Sequence, residues 1–81
     1  MQNSTVILAT LDSLKRLPNS RFGNPRYEAT LMASDGSEVV AWTKPDASLG
    51  YSLPNHRGEQ VQATLRTMRG RVYLIGCEKA A

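Results

Sequence analysis

Apolar and polar residues alternate along several stretches of the chain, and this two-residue period constrains its fold more than any other feature. In QVQATLRTM, Val61, Ala63 and Leu65 fall on one side, and the intervening polar residues fall on the other. Such a period is typical of a strand with one buried and one wetted face. The same reading applies to RYEATLMA, EVVAWTK, RVYLIGC and a long first strand, STVILATLDSL. The sequence therefore predicts five strands and an all-β fold.

The length and the cysteine count limit the organisation of the chain. Its 81 residues suffice for one modest core, so we expect a single domain over residues 1–81. Cys77 is the only cysteine, which excludes a disulfide framework and a zinc quartet of cysteines. No signal peptide or apolar run of bilayer-spanning length is found, so a cytoplasmic location is expected. A net charge of +3 favours an anionic partner.

Asp35-Gly36 predicts a hairpin between the second and third strands. A two-residue loop would pair Leu31 with Val40 and direct Trp42 into the core. A three-residue loop would instead oppose Trp42 to Glu28. We prefer the two-residue loop because it places apolar residues opposite apolar residues on one face. The outer face of these two strands would then carry Glu28, Thr30, Met32, Ala41 and Thr43.

Arg69-Gly70 predicts a second hairpin, between the last two strands. Its register pairs Leu65 with Leu74 inside and Arg66 with Tyr73 outside, and the glycine permits the positive φ that such a turn needs. Across all strands, the residues expected to point inward include Leu31, Val40, Trp42, Val61, Leu65, Val72 and Leu74.

The connection PDASLGYSLPNHRG lacks strand alternation and predicts a short helix between the third and fourth strands. Asp46 would cap this helix, Pro54 would end it, and Tyr51 would plug the end of the barrel. Three strands, a short helix and two further strands form the order of a small five-stranded OB-like barrel. An SH3-like barrel, which also uses about five strands joined by short hairpins, is the alternative.

Short motifs along residues 14–75 resemble those of S1-type OB-fold domains, the family that includes the small bacterial translation initiation factor. They are LPN (17–19) followed by Phe22, YEATL (27–31), GEQV (58–61) and GRVY (70–73). Two features depart from the family pattern: GNPR (23–26) lengthens the first loop, and ASLGY (47–51) replaces a basic segment. The resemblance implies an OB barrel whose relatives commonly bind single-stranded nucleic acid. The stretch LPNSRFGNPRY is also similar to small phage- and plasmid-borne proteins.

The sequence offers little for catalysis. His56 is the sole histidine and falls in a turn where an exposed position is expected, and the seven acidic residues are scattered. No phosphate-binding glycine loop or metal-ligand spacing is present. We therefore expect no enzyme, no cofactor and no metal site.

Basic residues concentrate in the two loops that flank the expected cleft, which contain seven of the ten lysines and arginines. In OB-folds these loops, with the second and third strands, form the usual oligonucleotide face. Single-strand binders combine such charge with aromatic rings on which bases stack. The predicted function is therefore non-enzymatic binding of single-stranded DNA or RNA. The candidate residues are Lys15, Arg16, Arg21, Phe22, Arg26, Tyr27, Arg66, Arg69, Arg71 and Tyr73.

A protein-interaction module is the second hypothesis. On the predicted register Met32, Val39 and Ile75 point outward and would form an apolar patch. Exposed strand edges would also permit sheet extension across two chains. The protein would then act as a phage- or plasmid-type adaptor or inhibitor, or form a homodimer.

Overall fold

The structure is a computed structural model that describes residues 4–80. Five strands form a closed barrel in the order β1-β2-β3-β5-β4, and two 3₁₀ turns lie between β3 and β4. The expected OB-like barrel is confirmed. No helix in the described part of the chain has the length and apolar character needed to cross a bilayer. The elements are β1 (Ser4–Leu17), β2 (Arg26–Ala33), β3 (Glu38–Thr43), 3₁₀ turns Leu49–Tyr51 and Leu53–His56, β4 (Gln60–Met68) and β5 (Arg71–Lys79).

The long first strand closes the barrel by pairing on both sides. Residues 4–10 of β1 pair with β4, and residues 9–17 pair with β2, with a register shift at Asp12. Such a bulge bends a strand and increases its twist, which lets one strand serve two neighbours. On the far side, β3 and β5 meet in a short parallel contact. Because β5 lies between β3 and β4, the order is Greek-key rather than sequential, as in an OB-like barrel.

The interior is small and aliphatic. The inward positions of Leu31, Val61, Leu65 and Leu74 are confirmed, and Val72 packs against them from a half-buried position. These side chains exclude water from a core that includes several alanines, as expected for a narrow barrel. The buried apolar residues are Ala9, Leu11, Ala29, Leu31, Ala41, Leu53, Val61, Ala63, Leu65, Leu74 and Cys77.

The β4–β5 hairpin has the predicted register. Leu65 pairs with Leu74, and Arg66 pairs with Tyr73. The turn residues Arg69 and Gly70 have φ values of 53° and 77°. Two consecutive residues with positive φ are typical of a type I′ turn, whose twist matches that of the flanking strands.

The predicted β2–β3 register is wrong by one residue. Leu31 pairs with Val39, and Glu28 pairs with Trp42. The turn contains three residues, because the Ala33 amide donates to the Ser37 carbonyl at 2.9 Å. A one-residue change moves every side chain of a strand to the other face. Val40 and Trp42, which were expected to point inward, therefore point outward. Ala41 and Thr43, which were expected to point outward, are buried, and Val39, also expected outside, packs against the core.

The β3–β4 connection is not a helix capped by Asp46. It forms two short 3₁₀ turns, and Asp46 instead makes an ion pair with Lys44 at 3.8 Å. Leu53 is fully buried and closes the barrel end, whereas Tyr51, the expected plug, is 65% exposed. Pro54 does not end a helix as expected but lies inside the second turn, and because it has no amide it cannot continue the first turn.

Candidate nucleic-acid interface

The loop between β1 and β2 is an ordered turn that presents two of the candidate residues. The Ser20 amide donates to the Asn24 carbonyl at 3.0 Å, and the Ser20 hydroxyl accepts from the amides of Phe22 and Asn24, each at 3.2 Å. Gly23 adopts a φ of 82° at the tip. These bonds fix the loop backbone and leave Phe22 59% exposed, with the Arg21 guanidinium 5.1 Å from its ring centroid.

This loop is also attached to the β3–β4 connection. The Asn24 side-chain amide donates to the Pro45 carbonyl at 3.0 Å, and the Tyr51 hydroxyl donates to the Gly23 carbonyl at 3.3 Å. Gly50 is buried against Pro25, where a Cβ atom would overlap the Pro25 carbonyl oxygen. The loop is therefore positioned by the barrel.

Arg16, Arg26 and Tyr27 lie at the base of this loop. The Arg16 guanidinium donates to the carbonyls of Leu17 and Arg26 at 3.2 and 3.3 Å and to the Asn19 side-chain oxygen. It also lies 5.4 Å from the centroid of Tyr27, which packs against the core. Arg26 is half-buried, and its Nε has no hydrogen-bond partner within residues 4–80. Arg16 and Tyr27 therefore support the loop, whereas Arg21 and Phe22 extend from it.

A line of cross-strand neighbours runs over the outside of the barrel between the two loops. We call it the outer row: Lys15 on β1, Glu28 on β2, Trp42 on β3, Tyr73 on β5 and Arg66 on β4. Directly opposed side chains in a sheet have Cβ atoms about 4.5–5.5 Å apart, so these residues form one continuous surface. Trp42 and Tyr73 are adjacent and both half-buried at its centre.

Trp42 is the site residue that sequence reasoning missed. The two-residue-loop register assigned it to the core, although the three-residue alternative opposed it to Glu28, as the structure does. The signal that could have placed it outside is its neighbours, since Ala41 and Thr43 are small enough for a narrow interior. Both are fully buried.

The β4–β5 hairpin lies beside the outer row. Arg71 is exposed, and its guanidinium carbon lies 4.8 Å from the Trp42 ring centroid. Arg69 is exposed in the turn itself, and Arg66 pairs with Tyr73. The hairpin thus places Arg66 and Arg71 beside the aromatic pair, while Arg21 and Phe22 form a separate group on the β1–β2 loop.

The charge pattern leaves the arginines without carboxylate partners. Over residues 4–80 the ion pairs are Lys44 with Asp46, and Glu59 with both His56 and Lys79. No arginine in this part of the chain forms an ion pair. An arginine guanidinium presents a rigid set of donors that matches phosphate oxygens, so the exposed arginines Arg21, Arg69 and Arg71 are available to an anionic ligand.

His56 and Cys77, whose side chains could in principle take part in catalysis, lie near the opposite end of β4. His56, expected to be exposed, is half-buried with its Nδ1 3.2 Å from Glu59 Oε1. Burial, and secondarily the charge of Glu59, raises the pKa of the Cys77 thiol. A buried thiol with a raised pKa is a weak nucleophile. Within residues 4–80 no group of three or more His, Cys, Asp or Glu side chains could hold a metal ion.

Neither a protein-family model, nor a curated protein, nor a solved structure matches this chain. The function of the chain is therefore inferred from the fold and from the geometry of the outer row and its two loops.

Proposed function

We propose that this protein is a non-enzymatic, cytoplasmic module that binds single-stranded DNA or RNA through the outer row and the two flanking loops. The observation that carries the proposal is the adjacent, outward pair Trp42 and Tyr73, with Arg66 beside Tyr73 on β4 and Arg71 over the Trp42 ring. OB-folds bind oligonucleotides on the face of strands 2 and 3, between the β1–β2 and β4–β5 loops. The aromatic pair lies on and beside that face.

Base stacking is the first element of the mechanism. Arg71 lies over the Trp42 ring, and an exposed cation–π contact contributes about 0.5–1 kcal/mol. A base stacked on the same ring contributes about 1–3 kcal/mol. The base therefore displaces the guanidinium, which is then free to bind the neighbouring phosphate. Arg21 and Phe22 on the β1–β2 loop form a second pair of the same kind.

Phosphate binding is the second element. Arg66 and Arg69 on the β4–β5 hairpin and Lys15 at the other end of the outer row extend the positive surface along the path of a strand. Each phosphate that a basic side chain neutralises releases counterions, and contributes about 0.7 to the salt dependence of single-strand binding. Arg16 and Tyr27 support the loop from below.

The experiment uses Trp42, the only tryptophan of the chain, as its reporter. Short single strands of DNA and RNA are titrated into the protein at several salt concentrations while indole fluorescence is followed. We expect fluorescence quenching and an affinity that falls with salt. Arg71→Ala should reduce the slope of log affinity against log salt by about 0.7.

Arg57→Ala is the matched control. Arg57 is exposed and lies before β4, at the end of that strand away from the β4–β5 hairpin. It removes the same charge as Arg71→Ala and should leave affinity and slope nearly unchanged. A wild-type protein that binds neither DNA nor RNA strands at low salt would contradict the proposal.

A protein-interaction module remains the second candidate because of one specific observation. Val6 and Leu8 are 61% and 47% exposed on β1. In the described part of the chain, residues 4–8 pair with β4 alone, which leaves the other edge of that segment open. An open apolar edge permits strand pairing with a second chain. Concentration-dependent dimers in sedimentation, abolished by Leu8→Lys, would support this function.

A further inference from the structure

Glu28 is the one acidic residue of the outer row. It lies between Lys15 and Trp42 and is half-buried. Within residues 4–80 its carboxylate forms neither an ion pair nor a side-chain hydrogen bond. The other outer-row residues are basic or aromatic, so this carboxylate has a different role from its neighbours.

The charge of Glu28 determines which part of a nucleic acid it can contact. A carboxylate only accepts hydrogen bonds, and it repels phosphate oxygens, which also only accept. A base stacked on Trp42, the next residue of the row, would instead direct one edge toward Glu28. In single strands that edge is unpaired and open to recognition. The carboxylate is thus positioned to read the hydrogen-bond donors of a stacked base.

We propose that Glu28 makes this surface selective for guanine at the position stacked on Trp42, an inference that rests on the proposed function. Guanine offers two adjacent donors on its Watson–Crick edge, N1–H and the N2 amino group, which match the two oxygens of one carboxylate. Adenine and cytosine offer one amino group beside an acceptor nitrogen. Uracil and thymine offer one N–H between two carbonyl oxygens. Guanine alone allows a bidentate contact without opposing two acceptors.

The test compares short pyrimidine-rich strands that differ at one central base: guanine, hypoxanthine or adenine. Hypoxanthine lacks the N2 amino group but retains N1–H. Affinities are measured from Trp42 fluorescence at one fixed salt concentration. We expect guanine to bind about 5- to 150-fold more tightly than adenine, the range of a good bidentate contact, with hypoxanthine between them.

Glu28→Gln distinguishes recognition of a base by the carboxylate from general repulsion of the nucleic acid by its negative charge. It should reduce the ratio of guanine to adenine affinity to near one, because an amide opposes its NH₂ group to one guanine donor. Glu38→Gln, an exposed charge change at the start of β3, should keep the ratio of the wild type.

Two outcomes would overturn the inference in distinguishable ways. If the wild-type protein binds all three strands equally, or if Glu28→Gln raises every affinity by one common factor, Glu28 acts only as a repulsive charge and the proposed function stands. If the wild type binds no strand, the proposed function and the selectivity fail together.

Discussion

Trp42 lies outside the barrel because the interior beside it has room only for small side chains. Ala29 and Ala41 face each other there, and both are fully buried. The next inward residue, Thr43, is also fully buried, and its hydroxyl accepts a hydrogen bond from the Tyr27 amide at 3.0 Å. The buried hydroxyl of Thr43 thus has a hydrogen-bond partner, as buried polar groups require. An indole ring in this layer would displace the neighbouring strands.

The stability cost of losing the indole should therefore be modest. Trp42→Ala is expected to lower the free energy of unfolding by about 1–2 kcal/mol, since only a half-buried surface is lost. Leu74→Ala should lower it by about 2–5 kcal/mol, because it leaves a cavity in the closed core. Urea unfolding followed by far-UV circular dichroism measures both. Equal losses would show that Trp42 belongs to the core.

Substitutions at Arg16 and Arg21 should distinguish an arginine that supports the β1–β2 loop from an arginine that binds nucleic acid. Arg16→Ala removes hydrogen bonds to two backbone carbonyls, and we expect it to lower stability by about 1 kcal/mol. Arg21→Ala should leave the unfolding midpoint unchanged and reduce the salt slope of single-strand binding by about 0.7. Thermal unfolding and fluorescence titration of the two variants provide the comparison. A stable Arg16→Ala protein would contradict the supporting role.

At the scale of elements, the alternation specified one hairpin and left the other undecided. In β4 and β5 the two-residue turn Arg69-Gly70 sets a register that opposes Leu65 to Leu74 in the core and Arg66 to Tyr73 outside. In β3 the adjacent Val39 and Val40 satisfy either register, and Asp35-Gly36 suits turns of two or three residues. The Asp35 carboxylate accepts hydrogen bonds from the Ser37 hydroxyl at 2.6 Å and from the Ser37 amide at 2.9 Å, and these two bonds lower the pKa of Asp35. They favour the longer turn, and the alternation of apolar and polar residues does not reveal them.

The sequence likewise predicted one part of the candidate site and not another. The two basic loops follow from the positions of lysines and arginines, which the strand pattern places at hairpin ends. The division of those residues into supporting and extended ones depends on side-chain contacts such as that of Arg16 with Tyr27. Such contacts join residues of different strands, so residue type and spacing do not reveal them.

The β1–β2 loop and the β3–β4 connection should respond together to a change at Gly50. Gly50→Ala places a methyl group on the Pro25 carbonyl, and we expect a loss of about 1–3 kcal/mol from overpacking. Gly76→Ala is the matched control, since its Cβ would lie 3.3 Å from a Thr64 side-chain oxygen that can shift. Neither glycine has a positive φ, so the two variants are compared only for the space available to the added methyl group. Similar losses at both sites would contradict the proposed attachment of the loop.

At the scale of the whole molecule, Cys77 reports opening of the barrel. The thiolate is the reactive form of cysteine, and burial both shields this thiol and raises its pKa. We expect a thiol reagent at mildly alkaline pH to modify the folded protein at least about 10³-fold more slowly than the chain in urea. Leu53→Ala, which removes the buried end of the core, should accelerate labelling. Rapid labelling of the folded wild type would contradict a closed barrel.

The same thiol predicts a pH dependence of stability. Since its pKa is raised in the folded state, the unfolded chain ionises first as pH rises. The contribution of Cys77 is therefore fully present below the unfolded pKa and declines as pH rises toward the folded one. In Cys77→Ala the free energy of unfolding should therefore fall less as pH rises than in the wild type. Urea titrations of the two proteins at several pH values would measure this difference.

During synthesis, β1 emerges long before its second neighbour exists. Val6 pairs with Thr64, and at about 5–20 residues per second the ribosome needs roughly 3–12 s to make the intervening chain. Until β4 is made, β2 is the only barrel neighbour with which β1 can pair, and the residues of β1 that pair with β4 stay uncovered. Chaperones can therefore bind this segment, and the nascent chain completes its core only after β4 has emerged.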